Sequence, residues 1–212
     1  MEKTRLLMDV CPNISGDRVM LFEQYLGFLL KWNRSHNLTS LNDPMEVYDK
    51  HFADSIVPAQ FIPYGCRLID IGTGAGFPGL PIKILRDDLD VTLLETTQKK
   101  VSFCAYVITE LGLKGVRVVR GRGEDKELMR RLGRFDVVIS RAAFKLPVYL
   151  GIGAGYLKKG GRLIAMVGAT WPDELDKALP ALMDNGLKII DIQRYSLPFS
   201  KSDRALIVFE RK

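Results

Sequence analysis

The sequence predicts an α/β fold with a mostly parallel sheet, and three observations carry that expectation. A short apolar run at 67–71 opens into a glycine-rich turn, and behind it apolar runs and helix-period segments alternate. The last two runs are joined too briefly for a helical crossover, so they must pair antiparallel.

Taken in chain order, residues 15–32 read as a helix: Ser15 can cap it, and Val19, Phe22, Leu26, Leu29 and Leu30 recur on one face, with Tyr25 and Trp32 beside it. A polar loop at 33–40 leads to Pro44, which suits the first turn of a second helix that should end before Pro58 and carries Tyr48, His51, Phe52 and Ser55. Strands are expected at 67–71, 91–94, 116–119, 136–140 and 162–167, with helices between them. The longest helix, 97–111, stops at Gly112 and should turn Val101, Cys104, Ala105 and Ile108 inward. A helix at 172–185 precedes the final pair, 187–195 and 204–210. This divides the chain into an N-terminal helical extension, 1–60, and a Rossmann-like domain, 61–212.

With 212 residues, 47% of them hydrophobic and 26% charged, the chain has ordinary globular composition and can bury a real core. No window approaches the roughly 18 uninterrupted apolar residues of a membrane helix. Residues 1–5 have no apolar leader core, so a soluble cytoplasmic protein is expected. Cys11, Cys66 and Cys104 are odd in number and far apart, which argues against a disulfide framework, and with only His36 and His51 no metal site is expected. The net charge of +6 (31 basic minus 25 acidic) is uneven: residues 115–145 hold nine Lys or Arg against four Asp or Glu. Such an excess favours a polyanionic partner.

The glycine turn admits two ligand classes. Gly74, Gly76 and Gly79 spell the dinucleotide fingerprint G-x-G-x-x-G, with Glu95 about twenty residues on. The strand, however, ends at Asp70 and Ile71, and the first glycine after it is Gly72, so D-x-G-x-G-x-G is the better description. A carboxylate there would repel a pyrophosphate but suits a ligand carrying a cation and an ammonium, such as S-adenosylmethionine. Gly72, Gly74 and Gly76 would let the backbone approach it closely.

Ligands of open α/β sheets bind off the carboxyl ends of the strands, so the residues closing each strand are the next candidates. Glu95 can accept two hydrogen bonds from vicinal ribose hydroxyls, with Thr96 and Thr97 beside it, and the backbone at Gly123 and Glu124 can meet an adenine edge; either acid could instead only cap a helix. Arg141 follows an apolar strand and should emerge at the site, where its guanidinium could hold a phosphate or a ligand carboxylate; a surface salt bridge is the alternative.

The segments KWNRSHNLT at 31–39, HFADS at 51–55, DIGTGAGFPGLP at 70–81 and ISRA at 139–142 together resemble the RsmG family, also called glucose-inhibited division protein B, from about Leu21 to the C-terminus. The resemblance implies a class I methyltransferase fold with an antiparallel last strand and the transfer of a methyl group from S-adenosylmethionine to guanine N7 in 16S ribosomal RNA of the small ribosomal subunit. Position by position, it implies cofactor contacts at Gly72, Phe77, Glu95 to Thr97, Gly123, Glu124 and Arg141. It places Asn33, His51, Asp54, Lys100, Arg122 and Arg204 near the substrate. Gly123 departs from members that carry a side chain there. Guanine N7 has a lone pair and no proton to lose, so alignment rather than a general base is needed, and Asp70 or Asp54 could favour the charge shift.

RNA contact is expected from Lys99, Lys100, Arg120, Arg122, Arg141, Lys145, Lys201 and Arg204, with Phe77, Phe144 and Phe199 as candidates to stack on a splayed base. No metal is required, and a monomer is expected. Rival readings are a methyltransferase acting on another RNA, a small molecule or a protein; an NAD-dependent oxidoreductase; and an RNA-binding protein without catalysis.

Overall fold

The computed structural model describes residues 2–141 and 143–212; Ala142 of the 139–142 segment lies outside them. Seven strands form one sheet in the order β3-β2-β1-β4-β5-β7-β6. They are β1 (Arg67–Ile71), β2 (Asp90–Glu95), β3 (Val116–Arg120), β4 (Phe135–Arg141), β5 (Leu157–Gly168), β6 (Leu187–Ser196) and β7 (Asp203–Arg211). The first five pair in parallel, and β7 runs antiparallel between β5 and β6, as the short final connection requires.

Helices cover both faces. The chain begins with α1 (Glu2–Val10) and α2 (Gly16–His36). Helix α2 starts where the Ser15 hydroxyl accepts from the Arg18 amide, and it ends at Asn37, whose left-handed φ of 48° lets its amide return to the Asn33 carbonyl. It therefore runs one turn beyond the expected end.

The expected second helix is a composite. α3 (Pro44–Val47) passes into a π-helical turn (Tyr48–Ala53), then α4 (Asp54–Ile56), then a 3₁₀ turn (Val57–Phe61) that includes Pro58. The wide turn points Asp49, Lys50, His51 and Asp54 differently from a regular helix, and such turns recur at functional sites.

After the sheet begins, α5 (Gly79–Leu85), α6 (Gln98–Glu110), α7 (Lys126–Leu132), α8 (Leu146–Tyr156) and α9 (Trp171–Asp184) fill the crossovers. In α6 the buried residues are Phe103, Cys104 and Val107, while Ala105, expected inside, is exposed: the helix is turned so that its aromatic side meets Tyr25 and Trp32. Strand β5 starts five residues earlier than expected, because an irregularity opposite Phe135 and Val137 lets Leu157 pair before the regular register resumes at Arg162.

One apolar cluster joins the N-terminal helices to one face of the sheet. Leu7, Phe22, Tyr25, Leu29, Tyr48 and Phe52 share it with Leu68, Val91, Phe103 and Ile164. Phe52 is fully buried and lies within 6 Å, centroid to centroid, of Phe22, Tyr25, Tyr48 and Phe77. The other face is closed by α7, α8 and α9 around Phe135, Tyr156 and Phe209. Arg86 fastens the connection between the helices and β1, donating to the carbonyls of Ala59, Ile62 and Pro63. No helix among the described residues is long and apolar enough to cross a membrane.

Because the core crosses residue 60, the helical and sheet regions should unfold together. In a Trp171→Phe background, denaturant curves from Trp32 fluorescence and far-ultraviolet circular dichroism should coincide. Phe52→Ala should shift both by about 3–5 kcal/mol; two separated transitions would contradict the shared core.

Candidate functional site

Strand order reverses between β1 and β4, which opens a crevice at their carboxyl ends. The glycine turn fills its edge. Asp70 is wholly buried beneath that turn: its Oδ2 accepts from the Thr73 hydroxyl at 2.6 Å and the Gly79 amide at 2.8 Å. The expectation of a carboxylate presented to a ligand is therefore corrected. Asp70 closes the loop onto the start of α5, and its Oδ1 has no partner among the described residues. Burial pushes its pKa up to about 7 against the pull of those two bonds.

Nor do the glycines share one purpose. A Cβ on Gly72 would lie 2.6 Å from the Ala143 Cβ, one on Gly76 2.5 Å from the Tyr25 hydroxyl, and one on Gly79 2.9 Å from Asp70 Oδ2. Those three are required by the protein's own packing. Only Gly74, at φ +62°, has open space where a side chain would be.

Glu95 stands at that opening and is almost fully buried. Its Oε2 accepts from the Gly74 amide at 2.9 Å, and its Oε1 accepts from the amides of Thr96 and Thr97 at 2.9 and 2.8 Å and from the Thr96 hydroxyl. One carboxylate thus fixes the cradle and the strand end together. Gly123 is buried and packs tightly, since a Cβ there would meet Ile71 and Ile152 at 2.9 and 3.1 Å. Glu124 points outward to an exposed pair with Arg122 at 3.7 Å.

A second group forms around Arg141. Its Nη1 donates to the Lys50 carbonyl at 2.7 Å and to Asp54 Oδ2 at 3.1 Å, and its Nη2 donates to His51 Nδ1 at 3.0 Å. Asp54 Oδ1 accepts from the Tyr195 hydroxyl at 2.7 Å, with Arg204 Nε at 4.0 Å. Since Arg141 can only donate, His51 Nδ1 accepts and Nε2 carries the hydrogen given to Thr39 Oγ1 at 2.9 Å. Burial first, then the Arg141 charge, lowers the His51 pKa to about 3, so the ring stays neutral. Burial and the neighbouring Asp54 likewise push the Tyr195 phenol up.

These contacts correct three expectations. Phe77 is buried with its faces taken by Tyr25, at 5.5 Å, and His51, at 4.4 Å, so its ring is a wall and not a stacking platform. Both nitrogens of His51 are engaged within the protein, which makes it a support for Arg141 instead of an RNA contact. Asn33 is buried, and its amide spans the loop through Leu38, Thr39 and Asn42.

Lys100 is half-buried, and Lys145 and Arg122 are exposed on the rim. Phe199 is half-exposed in the β6–β7 loop, which the buried Asp49 holds by accepting from the Phe199 and Ser200 amides at 2.8 and 3.0 Å. Tyr195, Asp49 and Thr39 are neighbours of the site that sequence reasoning missed; Tyr195 and Asp49 meet their partners across more than 140 residues, and no local pattern marks them. No cluster of three or more metal-ligating side chains occurs among the described residues.

The family model described as GidB, rRNA small subunit methyltransferase G, matches residues 18–201. Proteins named ribosomal RNA small subunit methyltransferase G are similar along nearly the whole chain. The one from Myxococcus xanthus is 37% identical over 94% of this chain and 91% of its own, and that from Desulfitobacterium hafniense 40% over 93% and 83%. Among solved structures, Aeropyrum pernix fibrillarin, described as carrying natively bound S-adenosyl-L-methionine, has a TM-score of 0.56 at 20% identity, covering 69% of this chain and 66% of its own. Precorrin-6y C5,15-methyltransferase from Geobacter metallireducens has 0.56 at 16%, covering 74% and 87%. These structures share the class I methyltransferase fold with the chain.

The raised pKa of Asp70 gives a stability test. A folded-state pKa near 7 against an unfolded value near 4 favours the neutral acid, so its contribution is complete below about pH 4 and is lost as pH rises through about 7. Asp70→Asn keeps an oxygen for Thr73 and Gly79 without titrating. Denaturation midpoints of wild type should therefore fall relative to Asp70→Asn between about pH 4 and 8, whereas a constant difference would refute the assignment.

Proposed function

Because the chain belongs to the rRNA small subunit methyltransferase G family, we propose that it transfers the methyl group of S-adenosylmethionine to N7 of one guanine in 16S ribosomal RNA, acting in the cytoplasm as a monomer. The observation that carries the donor half is the open Gly74 beside the fixed carboxylate of Glu95. When bound, S-adenosylmethionine supplies an electrophilic methyl on a sulfonium.

The residues present fit it. Glu95 Oε2 spends one bond on Gly74 and retains acceptor capacity for a ribose hydroxyl, Thr96 and Thr97 shape the same edge, and the backbone at Gly123 and Glu124 offers hydrogen-bonding groups to an adenine edge. Gly72 and Gly76 keep the turn in the shape that exposes Gly74. Asp70 acts from beneath, by holding the turn. Arg141 retains hydrogens on Nε and Nη2 beyond those engaged within the protein, which suit the carboxylate of the donor, while Asp54, His51 and Phe77 hold it in place.

Guanine N7 attacks with its own lone pair, so no residue must take a proton. The neutral, internally bonded His51 and the buried Cys104 accord with that. Lys99, Lys100, Arg120, Arg122, Lys145, Lys201 and Arg204 would meet RNA phosphates, with binding that weakens steeply with salt. Residues 1–60 form the helical extension that braces Arg141, and 61–212 the transfer domain.

Incubation with tritiated S-adenosylmethionine and small-subunit ribosomal RNA, followed by nuclease digestion and mass spectrometry, should yield 7-methylguanosine at one position; label at another atom, or none, would overturn the reading. Glu95→Ala should weaken binding of S-adenosylhomocysteine at least about tenfold by titration, as expected for a lost charged hydrogen bond. Asp54→Asn should lower turnover about tenfold with both substrates saturating, because Arg141 loses its charged partner; full turnover would remove Asp54 from the reaction.

A further inference from the structure

Beside the glycine cradle lies a cavity of about 600 Å³ at the carboxyl ends of β4 and β5, bounded by the start of α8 and the first turns of α9. Cradle and cavity share one border. A Cβ built on Gly72 would come within 2.6 Å of Ala143 and 3.7 Å of the Phe144 ring, and one on Gly123 within 4.0 Å of the same ring, while Ala143 and Phe144 line the cavity from its other side. The volume falls within the range of about 300–1,000 Å³ usual for small-ligand sites, ample for a flipped-out base.

Its floor is apolar, from Ala165 to Val167, but α9 contributes Glu174 and Lys177. Glu174 is half-buried; its Oε1 accepts from the Thr170 hydroxyl at 3.0 Å, and among the described residues it has no ion pair and its Oε2 no hydrogen bond. A half-buried carboxylate with one oxygen unengaged at the edge of the cavity suits a partner with paired donors.

We infer that this cavity holds the acceptor guanine and that Glu174 reads its Watson–Crick edge. The inference rests on the reading of the protein as a guanine-N7 methyltransferase. Guanine presents N1–H and N2–H side by side, and a carboxylate accepts both in parallel. Adenine offers a lone pair at N1 and no 2-amino group, so it would leave the carboxylate unpaired and repelled. N7 lies on a different edge of the purine, so a base held by Glu174 leaves N7 free to face the donor cradle beside Ala143, with no side chain between N7 and the methyl group. Phe144 covers the ring, and Lys145 and Lys177 at the rim meet flanking phosphates.

The same contact acts on the chemistry. As the N7–methyl bond forms from the N7 lone pair, the sulfur–methyl bond breaks with its electrons returning to sulfur, and the purine takes up the positive charge. A carboxylate against N1–H and N2–H stabilises that developing charge.

The test compares ribosomal RNA carrying guanosine or inosine at the acceptor position; inosine keeps N7 and N1–H but lacks the 2-amino group. Wild type should methylate inosine RNA with about tenfold lower kcat/KM, the worth of one charged hydrogen bond. Glu174→Gln should lower kcat/KM on guanosine RNA about tenfold or more and bring the guanosine-to-inosine ratio to about two or less, with S-adenosylhomocysteine affinity unchanged. The wild-type inosine arm does not depend on any variant folding. A wild-type ratio near one, a variant that keeps wild-type rate and ratio, or a variant that loses S-adenosylhomocysteine affinity would each overturn the assignment while the methyl transfer stands. If wild type places no methyl on guanosine N7 at all, the functional reading fails first and takes this inference with it.

Discussion

One buried ion pair, Arg141 with Asp54, ties together the elements around the crevice. The Asp54 side chain is 4% exposed and that of Arg141 16%, so both charges are largely withdrawn from water, a step that costs several kcal/mol per ion unless the remaining hydrogen-bonding positions are filled. Here most of them are: Tyr195 donates to the other oxygen of Asp54, and Arg141 gives further hydrogens to the Lys50 carbonyl and His51, which leaves only Nε and one Nη2 hydrogen for a ligand. Because Arg141 ends β4, Asp54 follows the π turn and Tyr195 belongs to β6, this network ties the N-terminal helices, the centre of the sheet and the terminal hairpin at the mouth of the crevice. A lysine could not replace the arginine, since one ammonium cannot span a carbonyl, a carboxylate and an imidazole in a plane.

The same economy governs the glycine turn. Asp70 and three of its four glycines serve the turn's own closure: Gly79 makes room for Asp70, Gly76 for Tyr25 and Leu80, and Gly72 for Ala143. What is left for a ligand is narrow, the open face of Gly74 with Glu95 behind it. A site built this way has its shape set before anything binds, which reduces the ordering cost of binding. Ala143 and Phe144 then mark the border between the cradle over β1 to β3 and the cavity over β4 and β5, so that two substrates held on either side can meet there.

What could be read from the chain alone follows from local periodicity and local chemistry. The alternation of apolar runs placed the strands, all but the start of β5 to within two residues, the short last connection set the antiparallel hairpin, and Ser15, Pro44 and Gly112 marked helix ends correctly because caps act within one turn. That Asp70, Gly74 and Glu95 lie together at one edge was also legible, since strand ends on one edge of a parallel sheet must lie side by side.

What the chain alone left open was decided at long range. Nothing near Phe77 says that Tyr25 and His51 will cover its faces, nothing near Asn33 says that its amide will be consumed by a loop, and nothing near Ala105 reveals how α6 is rotated. Asp70 is the sharpest case: its place at the strand tip was legible, but whether its carboxylate faced a ligand or the loop depended on Thr73 and Gly79 closing over it. The sequence determined which groups reach the carboxyl edge of the sheet, because that follows from strand order and chain direction. Only the tertiary structure decided which of them remain available, because each buried donor or acceptor is claimed by whichever distant partner the packing brings within about 3 Å.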